Sequence, residues 1–280
     1  MSYVQPQPVG DLLREWRQRR RMSQLDLACE ADISTKHLSF LETGRSRPSR
    51  EMLLHLAERL DIPLRERNML LIAAGYAPAF PARSLDDPEL QGARNAIDLV
   101  LAGHEPYPAL AIDRHWNLVA SNRAVAPLLV GIAANLLQPP TNVLRLSLHP
   151  DGLAPRIANY GAWRAHLLAR LRRQIDLSAD PVLIDLLGEL SSYPASTARS
   201  GPPAANYATS VAVAFQLITD DGVLTFLSTT MIFGTPVDIT LAELALESFF
   251  PADAATAEAM RRLVGGHHSA RPQMETRSGI

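Results

Sequence analysis

The sequence predicts a multi-domain chain, with an all-α domain of five short helices followed by an α+β domain built on an antiparallel sheet. Three observations carry that reading. Up to residue 75, apolar residues recur at helical spacing between capping residues, and no strand signal interrupts them. Residues 76–88 then form a polar, proline-rich break, with Pro78, Pro81, Pro88 and the acidic pair Asp86-Asp87. Beyond the break the period changes to two in short runs, with helical runs between them. A length of 280 residues is ample for two domains and the linker between them.

Taken in order, residues 1–8 are expected to be a flexible start and 9–75 the helical domain. Leu12, Leu13, Trp16 and Met22 give its first helix an apolar stripe. Ser23-Gln24-Leu25-Asp26 opens the second, Ser23 being the N-cap that Asp26 can answer in a capping box. The third begins near Ser34, turns Leu38 and Leu41 inward and stops at Gly44, which can take the left-handed conformation of a helix end. Ser49 caps Arg50 to Leu60, and Pro63 opens a fifth helix that ends before Gly75.

The second domain is expected over 89–264. Glu89 to Leu101 reads as a helix, and Ala109 to Ile112 and Trp116 to Ser121 as strands around Asp113-Arg114. Tyr160 to Gln174 and Pro181 to Leu190 are helical. Thr209 to Ile218 and Val223 to Phe233 flank Asp220-Asp221-Gly222, the strongest hairpin signal in the chain. Thr240-Leu241-Ala242-Glu243 is a capping box expected to open a last helix toward Phe249. Residues 265–280 show no periodicity and are expected to be a disordered tail.

Composition narrows the class of function. The chain is 47% hydrophobic and 20% charged with formal net charge −2, which fits a globular protein and excludes a disordered one. Residues 1–80 carry 12 Lys/Arg against 10 Asp/Glu, and the remainder 15 against 19, so the front is weakly basic and the back acidic. Cys29 is the single cysteine, so neither an internal disulfide nor a thiolate zinc site is expected. Met1 to Gly10 lacks the pattern of a signal peptide, and the longest apolar run, Ala126 to Leu137, is too short to span a bilayer. A cytoplasmic location without membrane contact follows as the expectation. Residues 89–264 contain no phosphate loop, no Cys/His pair at metal spacing and no nucleophile elbow. The chain is therefore read as a non-enzyme without cofactor or metal. A haem reading would have to rest on His149 or His166, which stand alone in sequence, and His267-His268 in the tail are given no role.

The second and third helices meet the requirement for reading a major groove. They join through the short turn Glu30-Ala31-Asp32-Ile33, and the third helix offers Ser34, Thr35, Lys36, His37, Ser39 and Phe40 as outward positions. Arg45, Arg47 and the helix N-terminus at Ser49 follow closely and suit phosphate contacts, which position without specifying. Ser23-Gln24, Leu27-Ala28, Ile33-Ser34, Leu38-Ser39, Leu41-Glu42, Gly44-Arg45 and Pro48-Ser49 together resemble the XRE/Cro-C1 family of helix-turn-helix DNA-binding domains. The resemblance implies Gln24 near a phosphate or the outermost base, Thr35, Lys36 and Ser39 in the groove, and an internal ion pair of Arg17 with Glu42. Phe40 departs from the polar residue expected there, and could touch a thymine methyl. Because the domain's net charge is small, a dimer reading two half-sites is expected.

In the second domain, short strands with helices on one face can leave an apolar pocket between layers. The string Ala111 to Asn122, then Asn142 to Leu146, Gly234 to Thr240 and Glu247 to Pro251, resembles the ligand-binding domain of MmyB-like transcription regulators. That resemblance implies a PAS-like fold and a small hydrophobic, fatty-acyl type of ligand. Alternation groups Val211, Val213, Phe215 and Leu217 on one strand face. On the next strand either Leu224, Phe226, Ser228 and Thr230 or Val223, Leu227, Met231 and Phe233 could face the pocket. Phe226 and Met231 are thus alternative wall residues, and Arg145, Asn122 and Trp116 are candidate anchors for a ligand carboxylate. The partners expected are double-stranded DNA, a small hydrophobic ligand and a second copy of the chain. The competing reading makes the second domain only a dimerisation or protein-interaction module.

Overall fold

The computed structural model describes residues 7–194 and 213–266. Val211, the first part of the run from Thr209, His267-His268 and most of the two expected flexible ends lie outside the described residues. The chain forms two compact units. One holds residues up to Asp87 with Arg173–Asp180 and Gly234–Ala242, and the other holds the rest.

The first unit is built on α1 (Val9–Arg19), α2 (Gln24–Glu30), α3 (Thr35–Glu42), α4 (Arg50–Arg59) and α5 (Leu64–Ala73). The caps read in the sequence form: Ser23 and Asp26 make a reciprocal capping box, while Ser34 and Ser49 accept from the backbone of His37 and Met52. Leu13, Leu27, Leu38, Leu41, Leu53, Leu56 and Leu71 meet in one core. The α2–α3 turn passes through Asp32 at φ 51°, a left-handed position that a short polar side chain tolerates. At Gly10 a Cβ would stand 2.5 Å from the Leu41 carbonyl oxygen, so glycine is what lets α1 lie against the end of α3. Residues after α5 are tied down: the Asn68 side chain accepts from the amides of Ala79 and Phe80 and donates to the Phe80 carbonyl. Arg83 pairs with Asp238, whose carboxylate is nearly sealed from solvent.

The second unit begins with α6 (Gln91–Gly103), β1 (Ala109–Ile112), β2 (Leu118–Ser121), α7 (Val143–Leu148), α8 (Tyr160–Ser178, the last turns counted with the first unit), α9 (Pro181–Ser192), β3 (Phe215–Thr219) and β4 (Gly222–Ile232). The short α10 (Ile239–Ala242) follows, and β5 (Ala245–Pro251) and α11 (Ala254–Gly266) close the described chain. The five strands form an antiparallel sheet in the order β2-β1-β5-β4-β3. The two-domain α+β class therefore holds. The β3–β4 hairpin turns over Asp220-Asp221, with Thr219 opposite Gly222 at φ 120°.

Two expectations are corrected. The capping box expected at Thr240 does not form: α10 starts at Ile239, with Asp238 accepting from the Thr240 amide at 2.8 Å, and stops at Ala242. Phe249 lies on a strand, because Leu246-Glu247-Ser248 pairs with β4 and with β1 as the middle of the sheet. Pairing on both sides outweighs the local helix signal. The helix α11 falls in a stretch for which no helix was expected; Asp253 accepts from the Thr256 amide as its cap, and Met260 is fully buried.

Candidate nucleic-acid interface and ligand cavity

On the first unit the third helix shows the sequence's polar set to solvent. Ser34, Thr35 and Lys36 are exposed, and His37, Ser39 and Phe40 half-buried, while Leu38 and Leu41 point into the core. Lys36 Nζ stands 5.7 Å and the Arg45 guanidinium 5.9 Å from the Phe40 ring centre. Phe40 thus braces two cations beside the exposed helix face. Arg47 is placed differently: its Nη2 donates to the Ala74 carbonyl at 2.7 Å, beyond the end of α5, and its guanidinium lies over Tyr76. Gln24 also turns inward, donating from Nε2 to Glu42 Oε2 at 2.8 Å.

Behind this face, Arg17 forks onto Glu42, Nε to Oε1 at 2.6 Å and Nη2 to Oε2 at 2.9 Å. Burial alone would raise the Glu42 carboxyl, but hydrogen bonds from Arg17 and Gln24 and the Arg17 charge hold it below the ordinary glutamate value. The same hydrogen bond raises Arg17. The fork fastens α1 to the end of α3, and so fixes the reading helix from behind.

The second unit contains an apolar cavity of about 110 Å³ between the sheet and its covering helices. Leu110 of β1, Leu118 of β2, Phe215 and Leu217 of β3, Phe226 of β4 and Phe249 of β5 form its sheet wall. Leu144, Leu146 and Ser147 of α7 and Trp163, Leu167 and Arg170 of α8 form the opposite wall. The aromatic rings pack in a chain, with Trp163 and Phe215 centres 5.0 Å apart and Phe215 and Phe249 6.0 Å apart.

Trp116 enters the cavity from the β1–β2 turn at φ 66°, a conformation that costs a bulky residue about 1–3 kcal/mol. Local bonds over-determine that turn. Asp113 accepts from the amides of His115 and Asn117 at 2.8 Å each, and Asn142 donates to the His115 carbonyl at 2.8 Å while capping α7. The strings singled out in the sequence around Asp113 and Asn142 therefore act by holding Trp116. The Arg170 guanidinium lies 4.8 Å from its ring centre and donates to Glu247 Oε1 at 2.5 Å.

Of the residues expected at the ligand, Trp116, Phe215, Leu217 and Phe226 line the cavity. The inward face of β4 is the one carrying Leu224 and Phe226; Met231, on the other face, is exposed. Val213 is half-buried outside the wall. Asn122 is a buried brace, accepting from the Ala109 amide and donating to the Leu101 and Tyr107 carbonyls. Arg145 forks onto Glu189 at 2.8 and 2.7 Å, away from the cavity. That fork raises Arg145 and lowers Glu189, while burial and the Glu189 hydrogen bond push the Tyr193 hydroxyl up. Sequence reading missed Arg170 and Glu247. Arg170 sits among the arginines of an amphipathic helix, and only the strand assignment of β5 turns Glu247 inward. Among the described residues no group of three or more His, Cys, Asp or Glu is placed to hold a metal, and no helix is long and apolar enough to cross a membrane.

A family model described as the MmyB-like transcription regulator ligand binding domain matches residues 93–263. A helix-turn-helix family model matches residues 13–67. A chain from Methanoculleus marisnigri named as an HTH-type transcriptional regulatory protein is 34% identical over 116 residues, a match spanning 40% of this chain and 37% of that one. Among solved structures, an RNA-binding light-oxygen-voltage receptor is 12% identical, over 94% of this chain and 65% of its own, at a TM-score of 0.23, too slight a likeness to carry a conclusion.

Proposed function

The chain belongs to the family of the MmyB-like transcription regulator ligand binding domain, and from that premise we propose that it is a sequence-specific DNA-binding transcription regulator whose C-terminal domain senses a small hydrophobic ligand of fatty-acyl character. The family is one of transcription regulators, not of enzymes. The observation that carries the sensing half is the apolar cavity, into which a strained tryptophan is held. The DNA-binding half is supported by the exposed first turn of α3 with Phe40 flanked by Lys36 and Arg45. In this reading residues 9–75 bind DNA, 76–88 link, and 89–264 form a PAS-like ligand-binding and dimerisation domain, an architecture the sheet order supports. Thr35, Lys36 and Ser39 read base edges, Arg45 and the α4 N-terminus at Ser49 contact phosphate, and Gln24 and Arg47 act by bracing. The protein works as a homodimer in the cytoplasm, two weakly basic heads supplying the affinity that one lacks.

A second reading has one observation in its favour. At about 110 Å³ the cavity is smaller than the roughly 150 Å³ that admits benzene, as expected of a module that only dimerises. The two readings part on coupling, because a ligand shifts DNA binding only if it prefers one arrangement of the protein. The test is to select an operator from random-sequence duplex DNA and measure its Kd at fixed salt, with and without a saturating cavity ligand. Sensing gives a change of about fivefold or more; an unchanged Kd with the cavity demonstrably filled leaves the dimerisation reading.

A further inference from the structure

We infer that the cavity selects an uncharged ligand, an acyl or alkyl chain ending in an alcohol, ester or amide, and excludes both the free carboxylate and the amine. The inference rests on the reading of the cavity as a ligand site, and adds the charge state of what it takes.

Arg170 and Glu247 are the two ionisable residues among those lining the cavity, and they are already spent on each other at 2.5 Å. The pair is closed further by Thr230, whose hydroxyl donates to Glu247 Oε1 at 3.0 Å and lies 3.2 Å from Arg170 Nη2. Both side chains are shielded, Glu247 at 6% and Arg170 at 20% exposure. The face of Trp116 occupies another side of the guanidinium.

A ligand carboxylate would have two options, each unfavourable. Beside the intact pair it sets a second anion against Glu247 in a poorly solvated space, where like charges interact far more strongly than in water. Taking Arg170 for itself, it leaves the Glu247 carboxylate unpaired on an apolar wall, the costly half of breaking a buried ion pair. Pairing of β5 on both sides, with β1 and with β4, keeps Glu247 on the inward face of the sheet. An amine meets the mirror-image problem at Arg170. A neutral chain meets neither, and the wall offers it the hydroxyl of Ser147, whose oxygen accepts from the Trp163 indole at 2.9 Å. Arg145, the cation that could have welcomed a carboxylate, is committed to Glu189 elsewhere.

The test uses full-length protein at pH 7 and three probes of one chain length, 1-hexanol, hexanoate and hexylamine, followed by calorimetry and by tryptophan fluorescence, to which Trp116 and Trp163 at the cavity respond over a constant background from Trp16. The inference expects 1-hexanol to bind at least about tenfold more tightly than either ion, and Glu247→Gln to recover most of the hexanoate deficit. Hexanoate binding as tightly as 1-hexanol overturns the inference while leaving the ligand site intact. A hexanoate deficit unchanged in Glu247→Gln overturns it too, assigning the deficit to the general cost of desolvating a carboxylate. Saturation by none of the three removes the ligand site and the inference together. Should Glu247→Gln fail to fold, the double variant Arg170→Met/Glu247→Leu removes the pair without orphaning a charge; there the difference between hexanoate and 1-hexanol should shrink, and its persistence counts against the proposal.

Discussion

The helix-turn-helix unit and the cavity unit place their recognition groups at opposite ends of a scale. In the first, the groups proposed to meet DNA are outward side chains of α3 and of the short segment from Arg45 to Ser49 just after it, outside the core, with the stabilising network behind them. In the second, the groups offered to a ligand come from seven elements far apart in sequence and are themselves the core. Recognition and stability are thus separable in the first unit and fused in the second. Substitutions should divide accordingly.

The largest effects fall where each unit spends its buried interactions. Arg17→Met leaves Glu42 buried without its partner and should cost about 3–5 kcal/mol in urea unfolding. Phe226→Ala, at a fully buried wall position, should cost a similar 3–5 kcal/mol and also enlarge the cavity, so that ligand affinity changes with stability. A stable Phe226→Ala protein would break the fusion of core and site. Next, Thr35→Ala and Ser39→Ala should each lower operator affinity by about 1–3 kcal/mol while unfolding moves by no more than about 0.5 kcal/mol. A large stability loss there would deny that the reading face is separate from the core.

Arg145→Ala sharpens the contrast inside the second unit. Its fork with Glu189 is about 40% exposed on both sides, so the change should cost about 1 kcal/mol or less and leave the Kd for 1-hexanol within about twofold. A strong loss of binding would return Arg145 to the role of anchor. The smallest effect concerns pH. Because Glu42 is held below its ordinary value in the folded state, its contribution is complete above the unfolded carboxyl pKa of about 4.3 and fades as pH falls through the lowered folded value. Urea midpoints measured from pH 6 to pH 3 should fall less steeply in Glu42→Gln than in the parent chain.

The same contrast explains what the sequence discloses. Helix caps at Ser23, Ser34 and Ser49 and the pair Arg17–Glu42 are legible because each is either local or carried by a motif at fixed spacing. Even so, Arg47 and Gln24, read as DNA contacts, are turned onto their own domain by partners 27 and 18 residues away. In the second unit, the β3–β4 hairpin is local and legible, whereas β5 is masked by a capping pattern at Thr240 that the short α10, capped by Asp238, does not use. With β5 hidden, the inward side of Glu247 is hidden, and so is its pairing with an arginine 77 residues away. The anchors considered, Asn122 and Arg145, are polar groups near apolar runs, and each is held by a partner within the protein, the Ala109 amide and the Glu189 carboxylate. The strings around Asp113 and Asn142 were visible as a pattern, but their purpose, holding Trp116 at a positive φ, emerges only when the turn and the α7 cap meet.

Native mass spectrometry of the full-length protein, before and after exposure to excess 1-hexanol, tests most directly whether the second unit is a ligand site. The account expects each chain to carry one small neutral molecule, recovered on denaturing extraction or exchanged for 1-hexanol. Chain mass alone under both conditions, in protein whose unfolding is cooperative, would contradict it.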